Sequence, residues 1–410
     1  MEVIPASPEQ NLAKGGGQRE DAAEAAQRPL PDRCSCACRC PRPRLVRLKG
    51  SRSAEKGLAG LRIVLIGANP VAGWASRTHL PAIAACPGLS LVAACTTREE
   101  SARAAAERYN AKHALTDPAA LVALPEVDLV VISVRAPSHA ALVELALAAG
   151  KPVLCEWPLG TGVAQSQELV VRAQRRRVPN FVCLQGFASP AALAMRELIE
   201  QEAVGKLLSV RMAGTFAAWG ATVPATGTYL LDATNGVSLA SIIGGHALHM
   251  LERIAGKWAE FSGFSANRRA HTRIIGSGET RPQTSPDQFV ASGLLDNGAP
   301  AAVHLAGGIA GSEGFELLIL GESGSLRLGT TTVPEILPPT LERSQDGDTL
   351  RPVAIEPRFR LAPASLGESP AVNVAQLYAL VSAELGGGER RVPDFAEALA
   401  LRRRIAETMP

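Results

Sequence analysis

From Leu61 onward the chain alternates between two hydrophobic periods, and that alternation predicts its architecture. Residues 61–66, L-R-I-V-L-I, are apolar but for one arginine and stop at Gly67, the pattern of a strand buried on both faces that runs into a tight turn. Apolar positions at helical spacing follow over 78–86, then a second strand over 89–96 and a helix rich in Ala, Glu and Arg over 98–109. The exchange repeats with a strand over 127–134, a helix over 138–150 closed by Gly150, a strand over 151–157, a helix over 164–177 and a strand over 180–186. Strands alternating with helices in this way form right-handed βαβ units, so residues 60–187 are predicted to be an α/β domain on a parallel sheet.

After about residue 188 the rhythm changes. A helix over 189–205 leads into a strand-like stretch over 207–219, and the segment 244–256 reads as a helix ending in glycine. Two hairpins follow, over 289–308 and 315–329, turning at D-N-G and E-S-G. Residues 188–410 are therefore predicted to be an α+β domain with an antiparallel sheet. Residues 330–370, rich in Pro, Thr and Arg, read as a long surface excursion, and helices close the chain over 373–385 and 395–407. Residues 1–59, with a G-G-G run, scattered prolines and arginines, read as a disordered basic extension.

Composition narrows the function classes. The formal net charge of +3 resides in the extension: residues 1–60 hold 11 Lys/Arg against 7 Asp/Glu, and the remainder 31 against 32. A neutral body is not the footprint of a direct nucleic-acid binder. No apolar run is long enough to cross a bilayer and the first thirty residues hold no apolar leader, so a cytoplasmic protein is expected. The basic stretch between Arg33 and Lys56 would also suit a nuclear address, although a non-functional extension is the simpler reading. Cys34, Cys36, Cys38 and Cys40 lack the spacing of a metal site and read as part of the tail, while Cys86, Cys95, Cys155 and Cys183 sit among apolar residues as buried free thiols would. No metal is expected.

The first βα turn is where a dinucleotide pyrophosphate would sit, with glycines admitting the backbone and a helix N-terminus supplying N–H groups. Here it runs Gly67, Ala68, Asn69, Pro70, Val71, Ala72, Gly73, Trp74, longer than G-x-G-x-x-G. The second strand ends in Cys95, Thr96, Thr97 and Arg98, without the carboxylate that NAD-preferring sites place on the ribose. Hydroxyls followed by a guanidinium suit a 2′-phosphate, so NADP is favoured over NAD.

The stretch V-V-I-S-V-R-A-P-S-H (130–139) leading to C-E-W-P-L-G (155–160) resembles the glucose–fructose oxidoreductase/inositol dehydrogenase/MocA family. The resemblance continues through V-G-K-L-L-S-V-R-M-A-G, the glycine-histidine segment 244–246, L-I-L-G-E-S-G-S-L-R-L-G and V-P-D-F-A-E-A-L-A-L. It implies a Rossmann domain followed by an open-faced sheet domain, with the substrate pocket between them. It also implies cofactor contacts from Val134, Arg135, His139, Glu156 and Trp157, and a homo-oligomer formed through the open sheet. Four further stretches are similar to the galactose-regulon co-repressor branch: Gly73-Trp74 with Thr78-His79, E-W-P-L, L-Q-G-x₂-S-P and Y-x₂-D-x₂-N-G-V from Tyr229.

The chain departs from the family's enzyme pattern. Trp157 stands where the family has its catalytic lysine, and Ile242 where a carboxylate precedes the histidine, so of that triad only His246 survives. Two readings follow. In the first, an NAD(P)-dependent oxidoreductase moves hydride to or from a carbohydrate-like or small carbonyl or alcohol substrate, with His246 as proton donor or acceptor. Trp157 then shapes the pocket, and Tyr229 acts as a relay or lines the wall with Asp232. In the second, a catalytically silent NAD(P)-binding co-regulator grips an activator peptide. His249, one turn after His246, gives no metal pair for want of a third ligand, and His79 and His139 read as anchors of the cofactor turns.

Overall fold

A computed structural model describes residues 60–410 apart from position 346. The expectations for the extension, including its disorder, its address and its cysteine run, fall outside these residues. The alternating pattern forms a six-stranded parallel sheet in the order β3-β2-β1-β4-β5-β6, built from β1 (Leu61–Ile66), β2 (Leu89–Cys95), β3 (His113–Leu115), β4 (Leu129–Ile132), β5 (Val153–Glu156) and β6 (Asn180–Cys183). The order reverses between β1 and β4, which opens a crevice at their C-terminal ends. Every residue of β4 and β5 is buried, as near-continuous apolar runs require of strands covered on both faces. The three-residue edge strand β3 and the helix α4 below carry too few periodic positions to be seen in the sequence.

Six helices cover the sheet: α1 (Trp74–Arg77), α2 (His79–Ala85), α3 (Glu99–Arg108), α4 (Pro118–Val122), α5 (His139–Ala148) and α6 (Val163–Arg176). The helix expected over 78–86 is present as α2, but the four-residue α1 precedes it directly after the first turn, so the dipole nearest that turn is short.

The second domain opens with α7 (Pro190–Glu200), N-capped by the Ser189 side chain, and β7 (Leu207–Phe216). A short strand β8 (Thr222–Pro224) and a turn-rich stretch lead to α8 (Gly245–Ala255), which a π-helical turn over Ala240–Gly244 precedes. Then come β9 (Trp258–Ala266), β10 (His271–Ile275), β11 (Thr280–Pro282), β12 (Gln288–Leu295), β13 (Pro300–Gly307), β14 (Gly314–Gly321), β15 (Gly324–Thr330), β16 (Thr340–Gln345) and β17 (Arg351–Pro352). Eight of these strands form one sheet in the order β17-β16-β15-β14-β7-β13-β12-β9, antiparallel except between β7 and β13. Both predicted hairpins are present, as β12–β13 and β14–β15. Inward residues such as Val210, Met212, Leu317, Ile319, Leu326 and Leu328 are buried in one core with α7 and α8, and the opposite face is uncovered.

Residues 330–370 depart in part from expectation. Over 330–345 the chain is no surface excursion, since β16 extends the sheet and Val333 and Glu335 are buried, whereas residues 347–370 run over the surface with none of them buried. Composition misleads here because prolines at 334, 338 and 339 break the periodicity without carrying the chain away from the core.

The last two helices, α9 (Ala371–Leu385) and α10 (Phe395–Ala406), return to the first domain. Val374, Leu377, Tyr378 and Val381 of α9 share a core with β1 and α2, while α10 packs on α6. Arg402 of α10 donates to the Thr161 carbonyl at 2.7 Å and to the Gly236 carbonyl at 3.0 Å, joining the loop after β5 to the second domain. Among the described residues, no helix is long and apolar enough to cross a membrane.

Candidate functional site

The C-terminal ends of β1, β4 and β5 form the floor of the site. Gly67 has φ 90°, and a Cβ there would overlap the Ser133 carbonyl, so only glycine lets the β1 turn lie this close to the end of β4. Asn69 shapes the turn, its Oδ1 accepting from the amides of Val71 at 2.9 Å and Ala72 at 3.1 Å. Ala68 is buried beneath it and Gly73 is exposed at its far side. At the end of β2 the buried Thr96 hydroxyl is engaged by the Arg98 carbonyl at 2.7 Å, which leaves Thr97 and the Arg98 side chain at the surface. The first acid beyond, Glu99, pairs with Arg103 at 2.5 Å.

A dinucleotide fits this floor. The Gly67 turn lets the chain pass closely, the Ser133 hydroxyl is buried without a protein partner at the end of β4, and no carboxylate stands at the end of β2. Thr97 and Arg98 lie exposed beside the floor at the end of β2.

Glu156, the last residue of β5, anchors the floor to its surroundings. Its Oε1 accepts from Trp74 Nε1 at 3.0 Å and pairs with His79 Nε2 at 2.6 Å, while His79 Nδ1 meets the Tyr378 hydroxyl of α9 at 2.7 Å. Burial pulls the Glu156 carboxyl up, but the hydrogen bond and charge of His79 outweigh it and hold the group below its ordinary value. His79, Glu156 and Cys183 also offer three clustered ligand atoms. Two ligands of one zinc ion lie about 3.3 Å apart when each is about 2.0 Å from the metal in tetrahedral geometry. The 2.6 Å contact is therefore a hydrogen bond within a buried relay. His139 anchors as expected, its ring bridging the carbonyls of Pro158 at 2.8 Å and Val134 at 3.0 Å. Cys86, Cys95, Cys155 and Cys183 are buried free thiols, as expected.

Above this floor lies a cleft of about 610 Å³ between the domains, and it gathers Trp74, Val134, Glu156, Trp157, Tyr229 and His246 from the predicted set. Arg135 stands at the surface beside it, stacked on the Tyr229 ring at 4.7 Å and donating to the Thr226 carbonyl at 3.0 Å. Asp232 is not in the wall: it is exposed, and its carboxylate caps the turn at Thr234.

Trp157 is nearly buried, and its indole N–H donates to the Ser241 carbonyl at 2.6 Å. A Cβ on Gly245 would overlap that indole, so the start of α8 is fitted to the tryptophan. His246, one residue on, is 5% exposed with Nδ1 lacking a protein partner. Burial lowers its pKa to about 4, only partly opposed by the Glu156 charge, so the imidazole is neutral at pH 7. His249 is buried with both nitrogens unpartnered and its ring edge-on to Phe187.

The sequence reading missed Ser133, Gln185, Trp219 and Glu335, which also line the cleft. Trp219 holds a left-handed φ of 59°, fixed by its indole N–H on the Leu230 carbonyl at 3.3 Å. Glu335 had a readable signal: it is a lone acid inside the apolar run V-P-E-I-L.

Residues 61–183 match the oxidoreductase family with an NAD-binding Rossmann fold, and residues 190–330 match the C-terminal domain of Gal80p. The chain unites an oxidoreductase-family NAD-binding domain with a Gal80p-like C-terminal domain. It is 27% identical over 302 residues to the galactose/lactose metabolism regulatory protein GAL80 of Saccharomyces cerevisiae, covering 68% of this chain and 69% of that protein. It is 29% identical over 237 residues to dehydrogenase aclE of Aspergillus oryzae, covering 54% of this chain and 63% of that one. The solved super-repressor mutant of Gal80p from S. cerevisiae superimposes with a TM-score of 0.74 at 23% identity, over 85% of this chain and 95% of that one. The two-domain architecture is thus shared by regulators and dehydrogenases alike.

Proposed function

We propose that this chain is an NAD(P)-dependent oxidoreductase acting on an uncharged, carbohydrate-sized alcohol or carbonyl compound, with NADP preferred over NAD. The observation that supports it is the interdomain cleft, which holds an imidazole with an unsatisfied Nδ1 beside the end of β5. A bound nicotinamide supplies or accepts hydride at the substrate carbon. The chain's own part is to hold the reacting oxygen at His246, which takes part in proton transfer there, and to exclude water with Trp157, Phe216, Trp219 and Ile243. Tyr229, whose hydroxyl burial keeps protonated, closes the outer wall. The experiment is stopped-flow nicotinamide absorbance with sugars, polyols and cyclic carbonyl compounds. His246→Gln is expected to bind cofactor normally and to lose roughly 10²–10⁴-fold in turnover. Wild-type hydride transfer that the substitution leaves unchanged would remove the imidazole from the reaction.

One observation favours a second reading, a cofactor-binding co-regulator that captures an activator protein. The place of the family lysine is filled by an indole whose only donor is spent on the Ser241 carbonyl. Tight cofactor binding, no hydride transfer with any compound, and capture of an acidic activation-type peptide would favour that reading.

A further inference from the structure

The cleft has a second titratable wall. Glu335 is 5% exposed, lines the same cavity as His246 and Trp157, and its Oε2 is buried without a protein hydrogen-bond partner. Its backbone is clamped: Gln185 Nε2 donates to its carbonyl at 3.2 Å, and Asn373 Nδ2 to the preceding Pro334 carbonyl at 3.1 Å. Gly186, beside Gln185, faces both Met250 and the Glu335 backbone, and Met250 lies one turn beyond His246 on α8. Glu335 and the helix that carries His246 therefore both lie against Gly186. Burying an unpaired carboxylate is costly, and a carboxyl that keeps its proton avoids that cost while gaining an O–H to donate.

We infer that Glu335 is a catalytic acid of this site, presenting a protonated carboxyl that hydrogen-bonds the oxygen of a neutral cleft occupant and supplies its proton. Burial raises the group to about 8, opposed only by a hydrogen bond from its own backbone, while His246 is driven to about 4. The two groups line one cleft and are displaced in opposite directions, so at pH 7 the glutamate holds a proton and the imidazole does not. In reduction, the carbonyl carbon gains hydride from the nicotinamide dinucleotide and the C=O π pair moves to oxygen. That oxygen takes the Glu335 proton, the carboxyl O–H breaking as the hydroxyl forms, and water entering the cleft reprotonates the carboxylate. Oxidation reverses each transfer. His246 holds that oxygen by a hydrogen bond, which is its part in the proton transfer.

This inference rests on the oxidoreductase reading, but its first readout needs no turnover. Infrared difference spectra of wild type against Glu335→Gln at pH 7 should show a protonated-carboxyl band that vanishes on titration through about pH 8. In the cofactor-bound protein the band should shift when cyclohexanone is added. Stopped-flow reduction of cyclohexanone by Glu335→Gln should then fall at least tenfold with cofactor affinity unchanged. A missing band, or a band indifferent to cyclohexanone, overturns the inference, as does turnover that Glu335→Gln leaves intact; the oxidoreductase reading survives that last result. A band that shifts without hydride transfer in wild type keeps Glu335 as the donor to the occupant and overturns the proton-transfer step, while the oxidoreductase reading falls only when sugars, polyols and the other carbonyl compounds also give no transfer.

Discussion

At the residue scale, the site is set by where charge has been permitted. Arg98 stands exposed at the end of β2 with no acid beside the ribose position, because Glu99 is occupied by Arg103. Arg98→Ala is expected to weaken NADPH binding about tenfold and to leave NADH nearly unchanged, in line with the lower end, about 1.5 kcal/mol, of what a charged hydrogen bond contributes. Equal loss for both cofactors by fluorescence titration would refute the NADP preference. His246 and Glu335 make stability depend on pH in opposite senses. The folded value of His246 lies near 4, below its unfolded value of 6.5, so stability is lost as pH falls from about 6.5 to 4. That of Glu335 lies near 8, above its unfolded value of 4.5, so its contribution is whole below 4.5 and is lost as pH rises toward 8. Glu335→Gln should therefore stabilise the fold at pH 7–8, by on the order of 1–3 kcal/mol, and should not at pH 4. Parallel melting curves at both pH values check the sign.

At the element scale, legibility followed periodicity. β1, β2, β4, β5 and β6 were readable because each is a continuous apolar run beside a helix of clear period, and the two hairpins because D-N-G and E-S-G mark their turns. The half of the site carried by such elements, the Gly67 turn and the end of β5, was readable with them. β16, β17 and the stretch holding Glu335 were not, since proline-rich sequence looks alike whether it wanders over a surface or lines a cavity. The short α1 ahead of α2 was hidden for a different reason: four residues are too few to show a helical period. The staple from α10 was equally invisible, because an arginine in R-R-R gives no sign that it is buried. Burial lowers Arg402 to about 10, still charged at pH 7, and no acid among the described residues pairs with it; two carbonyls accept its hydrogen bonds. Arg402→Met should cost about 2–3 kcal/mol by leaving both carbonyls unsatisfied, measured by urea unfolding. A loss below about 0.5 kcal/mol would mean that water replaces the guanidinium.

At the scale of the whole molecule, the outer face of the eight-stranded sheet is left uncovered by the described residues. It exposes Phe264, at 58%, opposite Val290 on β12, together with Leu294 and Leu320. We expect a homo-oligomer through this face, and Phe264→Glu should convert it to monomer in analytical ultracentrifugation without lowering the melting temperature. Wild type sedimenting as a monomer at micromolar concentration would reject the face as an interface. The return of α9 and α10 bears on the order in which the chain is made. Tyr378 meets His79 across 299 positions, so the floor under the cofactor acquires its last wall only when the C-terminus is translated. While the second domain is still emerging from the ribosome, β1 and α2 lack the α9 side chains that bury them, and apolar surface stays open to chaperones. A stop codon before residue 371, far from the cofactor in sequence, would thus abolish dinucleotide binding even though every residue of residues 61–183 had been made.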